Sequence, residues 1–352
     1  MHPIERYLRP PGHGIPTVST GGAEALKVSE RTWGTRDIEA IRRRWRADLE
    51  RYADAETVLL GIPCDTGAGF FRGAAYGPAG IRLAHHATFG PLRPGTLDLG
   101  DVVAVPQLLH DEMLSADQLR ATRAALYPEA DEGDPVAPLS VAERVLDLVL
   151  QENPDACLAV LGGDHSAAWP VMAALGKRFA GKFAVVHFDA HTDLLESRYG
   201  VKYCFATWAY HALRFVPAGG MIQLGIRVSG KPKAHWESTL GVRQFWAEEI
   251  LDDPAGTIDE VVRQLRRLNV ERVYVSNDID GTDPSEAPAT GTPEAGGLPS
   301  AFVEETIAAV RRAVPLVGGD VVELAPPLGK GDWATEEPTC RVGARYLEAL
   351  LR

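Results

Sequence analysis

Three short segments carry acids and imidazoles at spacings that gather them on one side of an extended backbone. Asp189-Ala190-His191-Thr192-Asp193 puts ionisable groups at i, i+2 and i+4. In an extended chain those positions share a face, and small Ala190 and Thr192 turn away. Asp278 and Asp280 repeat the i, i+2 spacing within Asn277-Asp278-Ile279-Asp280-Gly281-Thr282-Asp283-Pro284. The third segment, Gly162-Gly163-Asp164-His165-Ser166, supplies His165. Taken singly, each has an ordinary explanation: a capping or core polar pair, a strand-to-helix turn with a capping Asp, a solvated turn. Taken together they point to one metal site. Buried acids are costly unless paired, and neither acidic cluster contains a lysine or arginine. The four carboxylates with two neutral imidazoles carry −4, which two divalent cations cancel. An oxygen-rich set with imidazole and no thiolate suits Mn²⁺ or a similar first-row ion and disfavours structural zinc. Paired cations lower the pKa of a shared water and so supply a nucleophile near neutral pH. The expected chemistry is metal-assisted hydrolysis, with His165, Asp189, His191, Asp193, Asp278 and Asp280 as the ligands.

The elements that must position these residues are legible as a rhythm. Short apolar, β-branched runs occur at 57–62, 157–161, 183–188, 221–226, 272–276 and 316–324. Helical patterns lie between several of them, at 141–151, 167–179, 258–268 and 301–313. Continuous apolar strands alternating with helices imply an α/β fold, three layers with a mostly parallel central sheet. In such sheets functional groups collect beyond the carboxyl ends of the strands, where all three segments fall. From Arg31 to about Asp54 charged and apolar residues alternate at helical spacing. Residues 1–30, with Arg9-Pro10-Pro11-Gly12-His13-Gly14, read as an N-terminal arm without helix or strand, leaving 31–352 as one catalytic domain. The acidic, Pro-containing stretch from about Glu112 to Pro138 reads as an insertion or long loop.

Composition narrows the class. A formal net charge of −12 argues against a general nucleic-acid binder, which needs basic surface to replace counterions. The cysteines, Cys64, Cys157, Cys204 and Cys340, are widely spaced and form no C-x-x-C pair, as expected of reduced or buried thiols. The N-terminus lacks the apolar core of a signal peptide, and no stretch approaches the roughly 18 uncharged apolar residues of a membrane span. A cytoplasmic enzyme with no membrane partner fits best.

At the metal segments the sequence resembles the ureohydrolase family, which contains arginase, agmatinase and other guanidino-compound amidinohydrolases. The resemblance runs from about Leu59 to the C-terminus. It includes Gly61-Ile62-Pro63-Cys64-Asp65, Gly77-Pro78-Ala79-Gly80-Ile81-Arg82 and Ala287-Pro288-Ala289-Thr290-Gly291-Thr292-Pro293-Glu294-Ala295-Gly296-Gly297. It implies an arginase-like α/β/α fold, a trimer or hexamer, and two Mn²⁺, with Ni²⁺ used by some relatives. It further implies that His165, Asp189, Asp193 and Asp278 hold one ion. His191, Asp189, Asp278 and Asp280 would hold the other, with Asp189 and Asp278 bridging. The family chemistry is attack of a bridging hydroxide on a guanidinium carbon, with collapse to urea and an amine. Asp193 would steady that hydroxide, and Glu323, in Asp320-Val321-Val322-Glu323-Leu324-Ala325-Pro326, matches the acid that binds the guanidinium.

The sequence departs from the family at one functional position. Agmatinase-like members carry a histidine that shuttles protons to the leaving amine, in a segment resembling Lys-Tyr-Ser-His-Gly-Thr. Here the matching segment is Lys202-Tyr203-Cys204-Phe205-Ala206-Thr207-Trp208, and Phe205 cannot transfer a proton. His211, a turn or two onward, or water are the candidate replacements. Phe205 and Trp208 either line a pocket or pack the core. The Asn-containing pattern of arginases is also missing after Asp193, where Leu194-Leu195-Glu196-Ser197 follows, so arginine is a poor candidate substrate. Agmatine, guanidinobutyrate, another guanidino acid and guanidine stay open. Two other readings compete: a different metal-dependent amide or phosphoester hydrolase, disfavoured by Glu323, and a metal-binding but non-catalytic or regulatory relative, kept open by Phe205.

Overall fold

The computed structural model describes residues 2–15 and 22–352. Among these residues nine strands form one sheet: β1 (Leu8–Arg9), β2 (Thr57–Ile62), β3 (Thr96–Val102), β4 (Cys157–Gly162), β5 (Phe183–Phe188), β6 (Met221–Ile226), β7 (Arg243–Trp246), β8 (Arg272–Asp278) and β9 (Leu316–Val322). Their order is β1-β3-β2-β4-β9-β8-β5-β6-β7, and only β1 runs antiparallel to its neighbour. Helices cover both faces over two apolar cores. One is built around Val58, Val160, Val185 and Leu146; the other is built around Leu59, Leu161, Val186 and Leu347. Neighbouring strand residues thus pack to opposite faces, as a doubly covered parallel sheet requires.

The topology creates the site. From the centre the chain winds outward through β2 and β3 on one side and through β5, β6 and β7 on the other. Between these wings stand β4, β9 and β8, so the strand direction of winding reverses at the middle of the sheet. A crevice opens at the carboxyl ends of the strands at such a reversal. β4, β9, β8 and β5 are consecutive neighbours, and each is followed by one of the chemically suggestive segments.

Several expectations need correction. The stretch 1–30 contains a 3-10 helix (Pro3–Tyr7), β1 and the start of the helix Gly22–Trp33, so it is not free of regular structure. β1 is two residues long, too short to show alternation, and is stabilised by pairing with Val102 and Asp101. The helix Ala116–Leu126 lies inside the supposed insertion. It is started by a capping box, in which Ser115 accepts from the Gln118 N–H while the Gln118 side chain accepts from that of Ser115. β3 and β7 also escape the apolar-run criterion, because Asp98, Asp101, Arg243 and Gln244 interrupt them. Arg82, from the Gly77–Arg82 motif, pairs with Asp98 at 2.7 Å and Asp101 at 2.6 Å, which ties its helix to β3. That part of the resemblance is therefore architectural.

Candidate metal centre

Each candidate ligand is delivered by a strand end. β4 runs into Gly163, where an added Cβ would sit 1.9 Å from the Cys64 carbonyl oxygen; only glycine lets the chain turn there. Asp164 then caps the following turn by accepting from the Ser166 N–H, and His165 is the first residue of that turn. β5 ends at Phe188 and opens into Asp189–Asp193; β8 ends on Asp278, which caps the 3-10 turn carrying Asp280. His165, Asp189, Asp193, Asp278 and Asp280 are all at most 5% exposed, while the His191 side chain keeps 22%.

The six converge in two overlapping groups. His165 Nδ1 lies 3.0 Å from Asp278 Oδ2, 3.2 Å from Asp193 Oδ2 and 3.3 Å from Asp189 Oδ2. His191 Nδ1 lies 3.1 Å from Asp280 Oδ2 and 3.4 Å from Asp189 Oδ1. Asp189 thus offers one oxygen to each group. Second bonds hold the carboxylates still. Asp189 Oδ1 accepts from the His191 N–H at 2.6 Å, Asp280 Oδ1 from the Ala190 N–H at 3.1 Å, and Asp278 Oδ1 from the Asp280 N–H at 2.9 Å. Thr292 donates to Asp280 Oδ2 at 2.8 Å, and the Trp208 indole donates to Asp193 Oδ2 at 3.0 Å.

The electrostatics ask for cations. Ser276 Oγ donates to Asp320 at 2.9 Å, so it accepts from His165 Nε2, also at 2.9 Å. That leaves His165 Nδ1 facing three carboxylates, an arrangement that repels unless a proton or a metal ion stands between them. Burial and then the negative neighbours Asp280 and Asp189 push the Asp278 carboxyl well up. Burial lowers the affinity of His191 for a proton, but Asp280 and Asp189 outweigh it and lift the imidazole up to about 12. Among the described residues no lysine or arginine forms an ion pair with the four aspartates. The donor set of carboxylate oxygen and imidazole nitrogen fits hard to borderline divalent cations, and two groups able to hold a metal ion are present: His165, His187, Asp189 and Asp193, and Asp189, His191 and Asp280.

Comparison with known proteins shows the family. The sequence model of the arginase family matches residues 55–351. The chain belongs to the arginase family. It is 28% identical over 288 residues to an agmatinase of Bacillus anthracis, covering 80% of this chain and 87% of the relative. It is 30% identical over 307 residues to a guanidinobutyrase of Pseudomonas aeruginosa, covering 84% and 85%. Its fold matches the solved proclavaminate amidinohydrolase of Streptomyces clavuligerus with a TM-score of 0.65 at 26% identity, covering 84% of this chain and 90% of that one. As an agmatinase-like ureohydrolase it is a hydrolase of C–N bonds, with the arginase-like α/β fold. Among the described residues no helix is long and apolar enough to cross a membrane.

The remaining expected residues are placed less uniformly. Glu323 follows β9 and is 5% exposed. Its Oε1 accepts from the His165 N–H at 2.8 Å, which sets it beside the candidate ligands. Burial, with Asp164 next, raises its carboxyl well above the usual range, and among the described residues no cationic side chain pairs with it. Glu323 and Asp193 both adopt positive φ, 60° and 51°, conformations that cost about 1–3 kcal/mol and cluster at functional sites. Phe205 stands at the rim: a Cβ added at Gly69 would touch its Cζ at 3.5 Å and Thr292 Cγ2 at 3.8 Å.

His211 is not brought to the cluster. Its Nε2 meets the carbonyls of Glu196 and Lys202 at 3.0 and 3.1 Å, and its Nδ1 faces an Arg214 nitrogen at 3.1 Å. Burial and Arg214 depress its pKa, and these contacts occupy both ring nitrogens. Trp208 belongs to the floor of the site, with its ring 4.6 Å from that of His165. His187 is the buried residue that sequence reasoning missed, although its spacing of two before Asp189 continues the same face.

Proposed function

We propose that this chain is a binuclear metal-dependent amidinohydrolase that hydrolyses a guanidino compound to urea and an amine. His165, Asp189, Asp193 and Asp278 would hold one cation, and His191, Asp189, Asp278 and Asp280 the other, with Mn²⁺ or Ni²⁺ suited to the donors. When bound, the cations lower the pKa of water and provide hydroxide near neutral pH for attack on the guanidinium carbon. The observation that carries the reading is Glu323, a buried acid beside the cluster that has no cationic partner among the described residues. A planar guanidinium is the cation that such an acid binds best. Asp193, which accepts from the Trp208 indole at 3.0 Å, would steady that hydroxide by accepting its hydrogen bond. With Phe205 at the rim and His211 engaged elsewhere, the leaving amine takes its proton from water. General acid–base help is worth about 10²–10⁴-fold, so a slow turnover follows.

The tail of the substrate is read from the rim. Arg198 stacks over Phe205 at 5.0 Å and has no carboxylate partner among the described residues. A cation there favours guanidino acids such as guanidinobutyrate over agmatine, whose tail is itself cationic. A cytoplasmic homo-oligomer completes the reading, in line with the family resemblance. The test loads the purified chain with Mn²⁺ or Ni²⁺ and follows urea release from guanidinobutyrate, guanidinopropionate, agmatine, arginine and guanidine. Urea from the guanidino acids, abolished by Asp193→Asn, supports the proposal. Two bound ions with no urea from any substrate would favour the non-catalytic reading that Phe205 keeps open.

A further inference from the structure

His187 can be counted as a metal ligand by proximity, but the hydrogen bonds around it have a direction that says otherwise. Ser276, His187, Gln223 and Gln244 are mutual Cα partners across β8, β5, β6 and β7, so they form one rung of the sheet. All four are fully buried. At the outer end of the rung the indole N–H of Trp246, which can only donate, meets Gln244 Oε1 at 3.1 Å. Gln244 must then turn its Nε2 to Gln223 Oε1, at 2.8 Å. Gln223 in turn aims its Nε2 at two acceptors, the Thr192 carbonyl at 2.7 Å and His187 Nδ1 at 3.0 Å. A carbonyl can only accept, so Thr192 fixes the same orientation of Gln223 independently. A ring nitrogen that accepts carries no hydrogen. The hydrogen of His187 therefore sits on Nε2, 2.8 Å from Asp189 Oδ2.

The other half of the rung works in the opposite sense. Asp320, the partner of Ser276 on β9, accepts from its hydroxyl, and Ser276 accepts from His165 Nε2. His165 thus turns a bare Nδ1 toward the cluster, whereas His187 turns an N–H toward it. We infer that the rung Asp320–Ser276–His187–Gln223–Gln244, closed by Trp246, is a positioning device that assigns the two imidazoles different roles. His165 is left free to ligate. His187 is kept from ligating and holds the Oδ2 oxygen of Asp189, the carboxylate common to both ligand groups. This rests on the dimetal reading above. Partners that orient ligands from behind typically change metal affinity about 10–100-fold when removed.

The test uses the full chain loaded with Mn²⁺. Neutron diffraction should show hydrogen on His187 Nε2 and none on Nδ1. In chelator competition, His187→Phe should bind Mn²⁺ roughly 10–100-fold more weakly. His187→Gln, whose amide can still donate to Asp189, should recover most of that loss. Gln223→Leu should weaken binding by a smaller factor, and it stands in if His187→Phe does not fold. A bare Nε2 directed at a bound ion, or unchanged Mn²⁺ affinity in both His187→Phe and Gln223→Leu, overturns the inference. A wild-type chain that binds no Mn²⁺ removes the dimetal reading itself.

Discussion

At the floor of the site five of the six candidate ligands are at most 5% exposed, and every carboxylate has a second bond that fixes its orientation. At the rim Phe70 is 87% exposed and Tyr199 is 97% exposed, and Arg198 stands over Phe205 with no acid among the described residues to hold it. A cavity of about 380 Å³ opens beside Gly67, Arg198, Tyr199, Cys204 and Phe205. The floor is built on strand ends, whose positions the sheet dictates; the rim is built on loops. On the proposed function, bond cleavage belongs to the groups fixed at the strand ends and substrate choice to those carried by loops.

Substitutions should respect that division. The largest effect is expected at Asp278, which faces His165 and caps the turn holding Asp280. Asp278→Asn should lower activity by at least about 10³-fold, as losing one preorganised group in a charged site does, and elemental analysis should find fewer than two ions per chain. Glu323→Gln should reduce kcat/KM by roughly 10²-fold or more, through loss of the acid proposed to meet the guanidinium, with the metal content unchanged. A loss of metal in this variant would move Glu323 from substrate binding into the metal floor. Trp208→Phe keeps the ring over His165 and removes the donor to Asp193; a bond to a charged group predicts about a tenfold fall in kcat.

The contrast also explains what was legible in the sequence. The Asp-x-His-x-Asp and Asp-x-Asp segments announce themselves because a period of two on an extended backbone survives into the fold. β2, β5 and β6 fall where their apolar runs begin and end, since they are buried on both faces. β3 and β7 are obscured by Asp101 and Gln244, polar residues that answer to Arg82 on the covering helix and to Gln223 on the neighbouring strand. Such pairings join residues far apart in the chain, so no local pattern reports them. His187, Gln223 and Ser276 read as interior strand residues for the same reason. His211 is the opposite case, a suggestive type at a suggestive distance whose bonds are all structural.

Arg198 is a charged group of the rim. Arg198→Glu should leave metal binding intact and shift the guanidinobutyrate-to-agmatine preference by about tenfold toward agmatine, an effect that fades as salt screens the exposed charge. Parallel kcat/KM series at low and high ionic strength check it. A metal defect in this variant would blur the boundary between rim and floor.

The most direct measurement is a titration of the metal-free chain with Mn²⁺, following urea release from guanidinobutyrate at each increment. The account predicts that activity appears only as the second equivalent binds and reaches its plateau at two ions per chain. Full activity at one equivalent, or urea release that ignores added metal, would contradict it.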